Sequence, residues 1–375
     1  MPTHVSSPPT PAPTHRFALV VAVAGLWFGS AAAQDGTGTD WRLSLHSDRH
    51  ADALTIAELG VDDPVALLRP RAGRNIAYVD DELRLTRRDG AWQWSLLARQ
   101  SASLATEQQT LQLIAQVEGL GDTTRDRRWQ THVRYEQFSG GGLELGRRFV
   151  PAAGWQLSVA AQVLQLQHWR ERGLDGPVQF DAASGSYSFD LQSHQADDRK
   201  RFPFQQGFAS RGSALLLHGE LAWDDGPWQL AAGVRDLGWL HWTGLPQQDL
   251  VLNTDTQAVD ANGFVIYQPL VQGRNSQSGL TRSMSGRWSA RARWALDSER
   301  SVEASAITQR SFGVLPAIAW AQRVGSVETR LGWQFHEKRV TFGLIWRGLE
   351  LRAGTDRLGS GAHSRDLALA GTWAW

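Results

Sequence analysis

The amino-acid sequence predicts an all-β fold, an antiparallel transmembrane β-barrel of about 14 strands, with 12 and 16 as alternatives. Segments in which polar and apolar residues alternate fill most of the chain after residue 40, and this is the spacing of a strand with one face on lipid. The chain starts with an apolar run typical of export, and it finishes on a half-apolar strand that ends at Trp375. A closed barrel pairs its last strand with its first, so that no sheet edge is left open.

The N-terminal segment, residues 1–33, is predicted to be a secretory signal peptide. Residues 17–28 are apolar, and Ala31 and Ala33 satisfy the small-x-small rule for cleavage after Ala33. The run is shorter than the ~20 residues that a membrane-spanning helix needs. We therefore expect the mature chain, residues 34–375, to form a single barrel domain after signal-peptide cleavage.

The composition narrows the function class. The chain has no cysteine, which excludes thiol catalysis, disulfides and thiolate metal sites. Its 38 basic residues balance 38 acidic residues, so no net field favours nucleic acid. The mean hydropathy is −0.34, as expected for a barrel in which only every second strand residue meets lipid.

The predicted strands follow one another through short turns. Residues 88–90 are predicted to join the strand 82–87 to a strand that carries Trp92 and Trp94 on one face. The clearest alternation covers residues 287–296, where arginines oppose tryptophans and alanines. Further hairpin turns are expected at residues 297–298, 324–325, 337–338 and 347–348.

Other segments read as turns or long loops. Residues 139–142, Ser-Gly-Gly-Gly, predict a turn after a strand over 129–136. Long loops are expected near 50–74, 171–211 and 243–282, where the alternation is interrupted. In barrels of this kind the long connections face the outside and the short turns face the periplasm.

Tryptophans near strand ends are predicted to form the two aromatic girdles at the membrane interfaces. The alternative is that tryptophan simply fills strand positions well. Trp155 and Trp169 lie in one uninterrupted strand candidate, far enough apart to reach both girdles. The predicted girdle residues are Trp41, Trp129, Trp155, Trp169, Trp228, Trp288, Trp294 and Trp346.

If the apolar residues face lipid, the polar residues between them face the lumen. These side chains carry charges of both signs, so the sequence is compatible with a polar pore and equally with a packed lattice of ion pairs. The predicted lumen-lining residues are Arg84, His132, Arg134, Glu136, His218, Glu220, Arg235, Arg287, Arg291, Arg293, Glu328, Arg330, Glu350 and Arg352.

Catalytic and metal sites are not expected. A hydrolase needs a nucleophile or activated water beside a histidine and a carboxylate, and His218 with Glu220 shares one strand face. In the dipeptides Ser193-His194 and His46-Ser47 the two side chains point to opposite faces of a strand. No loop has the ligand spacing of a calcium site. We expect no catalytic residue, no cofactor and no metal, and we lean against an enzyme.

The last ten residues place Leu367, Leu369, Trp373 and Trp375 on one strand face. This pattern resembles the terminal strand of Gram-negative outer-membrane β-barrel proteins, which serves as their assembly signal. The resemblance implies an outer-membrane location, contact with outer-membrane lipid and lipopolysaccharide, and insertion by the barrel assembly machinery. We expect a monomer.

A narrower resemblance lies in residues 234–242, Val-Arg-Asp-Leu-Gly-Trp-Leu-His-Trp. This segment is similar to a strand-to-turn element in uncharacterised barrels related to the long-chain fatty-acid transporter superfamily. Those barrels typically have 14 strands, in agreement with the expected strand number.

The function expected from the sequence is passive, porin-like transport of small polar or amphipathic solutes. The alternative is a barrel that does not transport, acting as a structural or assembly partner of a surface or secretion system, or as a surface hydrolase.

Overall fold

The structure, a computed structural model, describes residues 39–61, 64–202, 210–259, 262, 265–267 and 269–374. The predicted signal peptide, residues 1–33, and Trp375 of the predicted assembly signal lie outside the described residues. Strands account for 72 % of the structure.

The strands have the following bounds: β1 Thr39–Ala51, β2 Arg74–Asp89, β3 Trp92–Glu107, β4 Arg127–Phe149, β5 Trp155–Asp181, β6 Ser186–Asp197, β7 Arg211–Asp225, β8 Trp228–Asn253, β9 Gln257–Val259, β10 Val265–Tyr267, β11 Val271–Met284, β12 Arg287–Ala295, β13 Arg300–Gln309, β14 Gly313–Val324, β15 Val327–Gln334, β16 Arg339–Trp346, β17 Leu349–Thr355 and β18 Ser364–Ala374. One α-helix, α1 Gln108–Val117, and two 3₁₀ turns, Glu58–Gly60 and Val65–Leu67, lie in the connections.

The sheet closes on itself as an antiparallel barrel of 14 strands. The ring runs β1 to β5, then β7, β8 and β12 to β18, and β18 pairs with β1 from Asp40↔Ala374 to His50↔Ser364. The predicted fold class and strand number are therefore confirmed. The strands β6 and β11 are not counted in the ring, because they lie beyond it along the barrel axis. Both pair with the far end of β8.

The two ends of the barrel differ. Short turns join strands at the end that holds both described termini, including those at 90–91, 325–326 and 347–348, and by the usual rule this end faces the periplasm. The other end carries the longer connections and the helix α1. No helix within the described ranges is long and apolar enough to cross a membrane.

The two sides of the barrel differ in height. We call β4, β5, β7 and β8, with β6 and β11, the tall wall, and β12 to β18 the short wall. The strand β5 has 27 residues and β8 has 26, whereas β15 has 8 and β17 has 7. The tall wall therefore rises above the barrel on the side away from the periplasmic turns.

The outer face of the barrel is apolar and the inner face is polar. On the short wall, Leu331, Phe342 and Leu369 are exposed on the outside, whereas Glu328 and Asp366 of the same wall are buried inside. This arrangement suits a barrel in lipid, because every backbone group is paired within the closed sheet and the band around it is apolar.

The register of the tall wall is irregular between Ser278 and Leu280 of β11 and at two further places. Ser139 pairs with His168 and Gly140 with Leu166, so Gln167 is an extra residue in β5. In β8, two residues lie opposite one residue of β7, and Asp236 adopts a left-handed backbone with φ 63°. A β-bulge of this kind moves the following residues to the other face of the sheet.

Three of the predicted turns and loops are wrong. The predicted loops at 171–211 and 243–282 are largely strand, because β5 extends to Asp181, β8 extends to Asn253, and β6 and β11 pair with them. These parts rise above the apolar band, so many of their residues are polar and the alternation that marks a strand is weaker. Residues 50–74 do form a connection, with two 3₁₀ turns.

The predicted turn at 139–142 is also wrong, since these residues lie in the middle of β4. The glycines serve a close approach instead of a turn. A Cβ atom at Gly142 would lie 2.0 Å from the carbonyl oxygen of Val163, and one at Gly140 would lie 2.5 Å from that of Gln165. Only glycine therefore fits at these two positions of β4 beside β5.

Candidate functional site in the barrel lumen

A layer of charged side chains crosses the lumen near mid-height, and we call it the central layer. Its members come from strands on opposite sides of the ring, and they pair with each other across the barrel. They are Asp80, Glu82, Arg84, Arg99, Glu144, Arg235, Asp236, Arg287 and Arg310.

Asp236 lies at the centre of this layer. The bulge in β8 turns both Arg235 and Asp236 inward, so a carboxylate from the wall reaches the lumen. Arg99 of β3 donates two hydrogen bonds to it, with N···O distances of 2.6 and 3.1 Å. Neither side chain is more than 1 % exposed. Two parallel bonds from one guanidinium are the strongest ion-pair geometry that proteins use.

Arg287 and Arg310 complete the contacts of this carboxylate. Arg287 of β12 lies 2.7 Å from Asp80 of β2, its Nε lies 3.4 Å from Asp236, and β2 and β12 are on opposite sides of the ring. Arg310, in the turn after β13, lies 3.7 Å from Asp236 and 3.8 Å from Glu136. The Nε and Nη2 atoms of Arg310 have no hydrogen-bond partner among the described residues, so its ion pairs are weaker than those of Arg99.

A second set of ion pairs and hydrogen bonds forms the periplasmic side of the central layer. Arg84 lies 2.9 Å from Glu82 and also bonds Glu144. The Gln162 amide donates to the other oxygen of Glu144 at 2.7 Å, and Arg235 reaches Glu82 at 3.2 Å. Paired charges that are also hydrogen-bonded are the form in which ions remain stable in a protein interior.

An apolar cluster fills the lumen on the tall-wall side, beside the central layer and toward the outer mouth. It joins inward-facing residues of β3, β4, β5, β7, β8 and β11, and its largest members are buried to 4 % exposure or less. These members are Phe138, Leu164, Leu166, Trp169, Leu216, Leu240, Trp242 and Leu245.

An outer cavity of about 520 Å³ lies at the outer end of the tall wall. Its lining is mixed, since Tyr135, Leu250 and Val251 lie beside several ion pairs. Glu136 of this lining and Phe138 of the apolar cluster are two residues apart on β4, so the cluster begins next to the cavity. The charged lining residues are Arg134, Glu136, Glu171, Arg172, Asp175, His194, Asp249 and Arg274.

An inner cavity of about 540 Å³ lies on the periplasmic side of the central layer. Glu82, Arg84 and Arg235 of the layer form part of its wall, together with His218 and Glu220. The central layer and the apolar cluster together lie between two cavities of similar size.

The predicted lumen residues lie on the inner face, and most of them form ion pairs. Arg84, Arg235 and Arg287 belong to the central layer. His132 and Arg134 both bond Asp175, at 2.8 and 2.6 Å. On the short wall, Glu328 pairs with Arg330, Glu350 with Arg42 and Arg352 with Asp366. At mid-height the structure therefore favours the ion-pair lattice over the open pore.

The three arginines that alternate along β12 differ in their partners. Arg287 is in the central layer, and Arg293 bonds Ser301 at 2.8 Å and lies 3.5 Å from Glu328. Arg291 is exposed and has no ion-pair partner among the described residues. Each of the three thus has a different environment along the same strand.

Six residues of the central layer are outside the predicted lumen-lining set: Asp80, Glu82, Arg99, Glu144, Asp236 and Arg310. Arg99 lies opposite Trp92 and Trp94 in alternation, so its inward direction is readable from the sequence. Asp236 is not readable in this way, because the bulge breaks the period. The segment 234–242 is also not a strand-to-turn element but the middle of β8.

Two of the predicted girdle residues are wrong. Trp169 is 1 % exposed and lies in the apolar cluster, and Trp129 is 3 % exposed and packs with Val178 and Phe180. The extra residue Gln167 explains why Trp169 is buried, because it moves this side chain to the inner face of the barrel. Trp155, Trp228, Trp288, Trp294 and Trp346 are exposed on the barrel, and Trp41 is half-buried.

The assembly-signal residues that the structure describes lie on β18. Leu367 and Leu369 are exposed on the outer face, and Trp373 pairs with Trp41 of β1. Their role in assembly stays a prediction.

The candidate hydrolase residues are not assembled into a catalytic triad. His194 Nδ1 lies 2.6 Å from Asp249 in the outer cavity, but its Nε2 lies 3.4 Å from Arg282. His46 lies 4.0 Å from Asp366, and His218 lies 4.0 Å from Glu144.

A second buried cluster lies at the outer rim, where β1 leads into the connection 52–73. Asp52 contacts His50 at 3.1 Å and His336 at 3.2 Å, and Arg71 also bonds it. Burial would raise the pKa of Asp52, but hydrogen bonds from His336, His50 and the Ile76 amide hold that pKa well below its usual value. Asp52 is therefore a carboxylate at neutral pH.

Comparisons with known proteins find solved structures of low sequence identity. No family model matches the chain, and no curated protein matches it. The toluene transporter TodX of P. putida is 9 % identical, with a TM-score of 0.40 over 92 % of this chain and 91 % of that one. The toluene transporter TbuX of Ralstonia pickettii is 6 % identical, with a TM-score of 0.32 over 91 % and 90 %. The outer membrane protease OmpT of Escherichia coli is 8 % identical, with a TM-score of 0.24 over 92 % and 99 %.

At these TM-scores, none of the three proteins bears on what this chain transports or binds. The closed 14-strand ring and its apolar outer band define the class of protein to which this chain belongs. This chain is an outer-membrane-type β-barrel.

Proposed function

We propose that the barrel is a gated passive transporter of small amphipathic solutes, in which the central layer closes the path through the lumen. One observation carries the proposal: cavities of about 520 and 540 Å³ lie on the outer and the periplasmic side of the central layer, with the apolar cluster on the path to the outer one. A barrel that served only as a scaffold would have no need for a cavity large enough for a solute on each side of the central layer.

The lining of the outer cavity supports an amphipathic solute with an anionic head. Arg134 and Arg274 supply guanidinium groups, which bind carboxylates and sulfonates well. The apolar cluster that begins at Phe138 would receive the apolar part. A neutral sugar would gain little from either surface.

The central layer is suited to open and close because the ion pairs between its residues differ in strength. Arg99 and Asp236 form a buried two-bond pair, whereas the contacts of Arg310 are all longer than 3.5 Å. Arg310 also extends from a turn at the outer rim. An anionic head that reached Arg310 would compete with Asp236 and Glu136 for it.

The test is entry of solutes into liposomes that contain the purified barrel. Hexanesulfonate is the amphipathic probe, since its permanent charge keeps it from crossing lipid unaided, and arabinose is the polar probe. We expect hexanesulfonate to enter at a saturable rate well above that of empty liposomes, while arabinose stays at the background. Entry of both probes at rates set by size alone, or of neither, would contradict the proposal.

Two variants sharpen this test. Arg134→Gln removes a cation from the outer cavity and should slow hexanesulfonate entry. Arg300→Gln removes an exposed arginine of a periplasmic turn, paired with Asp297 at 2.6 Å, and should leave the rate unchanged. Equal slowing by both variants would show that the outer cavity is not the entry site.

The competing function is a surface hydrolase that uses His194 and Asp249. It predicts turnover of an ester or peptide that His194→Gln abolishes. The approach of Arg282 to His194 Nε2 works against it, because that nitrogen would have to accept the proton of a nucleophile.

A further inference from the structure

The outer rim holds a ladder of metal-ligand side chains that no other function explains. His46, Asp48, His50 and Asp52 recur at every second position along β1 and just beyond it, in the segment His-Ser-Asp-Arg-His-Ala-Asp. Alternation puts them on one face of the strand, and the structure places that face inside the barrel. Imidazole and carboxylate groups are the ligands that first-row transition metals prefer.

We propose that His50, Asp52 and His336 form a binding site for a divalent first-row transition-metal ion such as Zn²⁺. The Nε2 atoms of both histidines and the carboxylate of Asp52 all lie within 4.8 Å of one another. His50 Nε2 is 3.1 Å from Oδ1 of Asp52, and His336 Nε2 is 3.2 Å from Oδ2.

Zinc bonds nitrogen and oxygen at about 2.0–2.2 Å, so two ligand atoms of a tetrahedral ion lie about 3.3–3.6 Å apart. Each histidine Nε2 is already close to this distance from one carboxylate oxygen of Asp52. The three protein groups would leave the fourth position for water, as in zinc sites with three protein ligands. The side chains of His50 and Asp52 are 3 % and 1 % exposed, and that of His336 is 15 % exposed.

The charge of the rim supports a bound cation. With the histidines neutral, as metal ligation requires, the carboxylates of this buried region outnumber its guanidinium groups. Nδ1 of His50 and Oε2 of Glu337 also have no hydrogen-bond partner among the described residues. The carboxylates are those of Asp48, Asp52, Glu337 and Asp366, and the guanidinium groups are those of Arg71, Arg339 and Arg352.

Arg71 is the group that the ion has to displace. Its Nη1 bonds Asp52 and lies 3.3 Å from His336 Nε2, so it occupies the space between two ligands. Arg71 belongs to the connection between β1 and β2, and its side chain is 39 % exposed. It is therefore free to swing into solvent when a metal ion takes its place.

The neighbouring group on the ladder is a poorer site. Asp48 is held by Arg339 at 2.7 Å, and Asp366 by Arg352 at 2.6 Å. The Nδ1 atom of His46 stays 4.0 Å from Asp366. Asp48 is thus already paired with an arginine that has little room to leave, since the Arg339 side chain is 1 % exposed.

The consequence of binding is a clamp at the outer mouth. Asp52 begins the connection 52–73, and His336 lies in the turn between β15 and β16. A metal ion bound to both would tie this connection to the short wall.

The experiment is titration of the full-length refolded barrel in detergent with Zn²⁺ by calorimetry, and with Co²⁺ by visible absorption. We expect one ion per barrel, and for Co²⁺ the d–d bands of a low-coordinate site. His336→Ala should weaken Zn²⁺ binding by more than the roughly 10–100-fold that loss of an outer-sphere partner costs. His241→Ala changes an exposed histidine bonded to Thr281 and should leave binding unchanged.

Arg71→Ala separates ligation from a simple effect on folding. Removal of the competing cation should tighten Zn²⁺ binding several-fold, and a misfolded rim cannot produce that result. Absence of saturable Zn²⁺ binding by the folded wild-type barrel would overturn the proposal, as would equal affinities of the wild type and the His336→Ala variant.

Discussion

The strand β5 in the tall wall has 27 residues, whereas β17 in the short wall has 7. At ~3.3 Å per residue and a tilt of ~40°, these lengths correspond to roughly 70 Å and 18 Å along the barrel axis. The short wall thus stays within the ~25 Å height of the apolar band, and its residues alternate without interruption. The tall wall continues far beyond the band and contains bulges at Gln167 and Asp236.

This difference explains where the barrel is closed. In the short wall every inward residue follows from the period of 2, so charged side chains form pairs along the wall, such as Arg352 with Asp366. In the tall wall the bulge at Asp236 adds an inward carboxylate that no regular strand would present. That carboxylate is the centre of the layer that divides the lumen.

The largest expected effect comes from removing that centre. Asp236→Ala leaves Arg99, Arg287 and Arg310 without their shared carboxylate in a buried site. We expect the free energy of unfolding to fall by about 3–5 kcal/mol, as for other broken buried pairs. Urea denaturation in detergent, followed by tryptophan fluorescence, measures this.

The matched change at a periplasmic turn is Asp297→Ala. Asp297 pairs with Arg300 at 2.6 Å, but the pair is exposed. Exposed pairs contribute about 0–1 kcal/mol, so this variant should unfold close to the wild type. Similar losses of stability for both variants would contradict the distinction between the buried pairs of the central layer and the exposed pair at the periplasmic turn.

A second comparison uses two tryptophans of one strand. Trp169→Ala empties a buried position in the apolar cluster and should cost about 3–5 kcal/mol of stability. Trp155→Ala changes a residue that is 40 % exposed near the periplasmic turn and should cost clearly less. If Trp155 proved the more costly of the two, the bulge at Gln167 would be misplaced.

How much the sequence predicts follows from the same contrast. The closed ring, the strand number and the hairpin turns of the short wall are readable, because alternation there matches the apolar band. Trp169 and Asp236 are not readable, since one extra residue in β5 or β8 reverses the face of everything after it. The His50–Asp52–His336 cluster was missed because its last member is 284 residues from Asp52 in sequence.

The arginines of β12 give a smaller effect. Arg287→Gln loses charge-assisted bonds to Asp80 and Asp236, while Arg99 still holds Asp236, so we expect a loss of about 1.5–3 kcal/mol. Arg291→Gln should stay within about 0.5 kcal/mol of the wild type, because Arg291 is exposed. Equal losses of stability at both positions would mean that Arg287 and Arg291 have equivalent environments in the lumen.

The smallest expected effect concerns the glycines of β4. Gly142→Ala forces a Cβ atom against the carbonyl oxygen of Val163 and should cost about 1–3 kcal/mol. Gly141→Ala meets its nearest atom, the carbonyl oxygen of Leu97, at 3.3 Å and should cost less. Thermal loss of the compact barrel band on unheated gels compares the two, and a reversed order would contradict the close packing of β4 on β5.

The most direct measurement of the central claim, that the charged layer closes the lumen, is single-barrel conductance in planar lipid bilayers. The wild-type barrel should show no steps of steady conductance. The charge-balanced variant Asp80→Ala, Arg99→Ala, Asp236→Ala, Arg287→Ala, once shown to remain a folded barrel, should show steady steps because the inner and outer cavities become continuous. Steady conductance of the wild type, or a folded variant as silent as the wild type, would contradict this account.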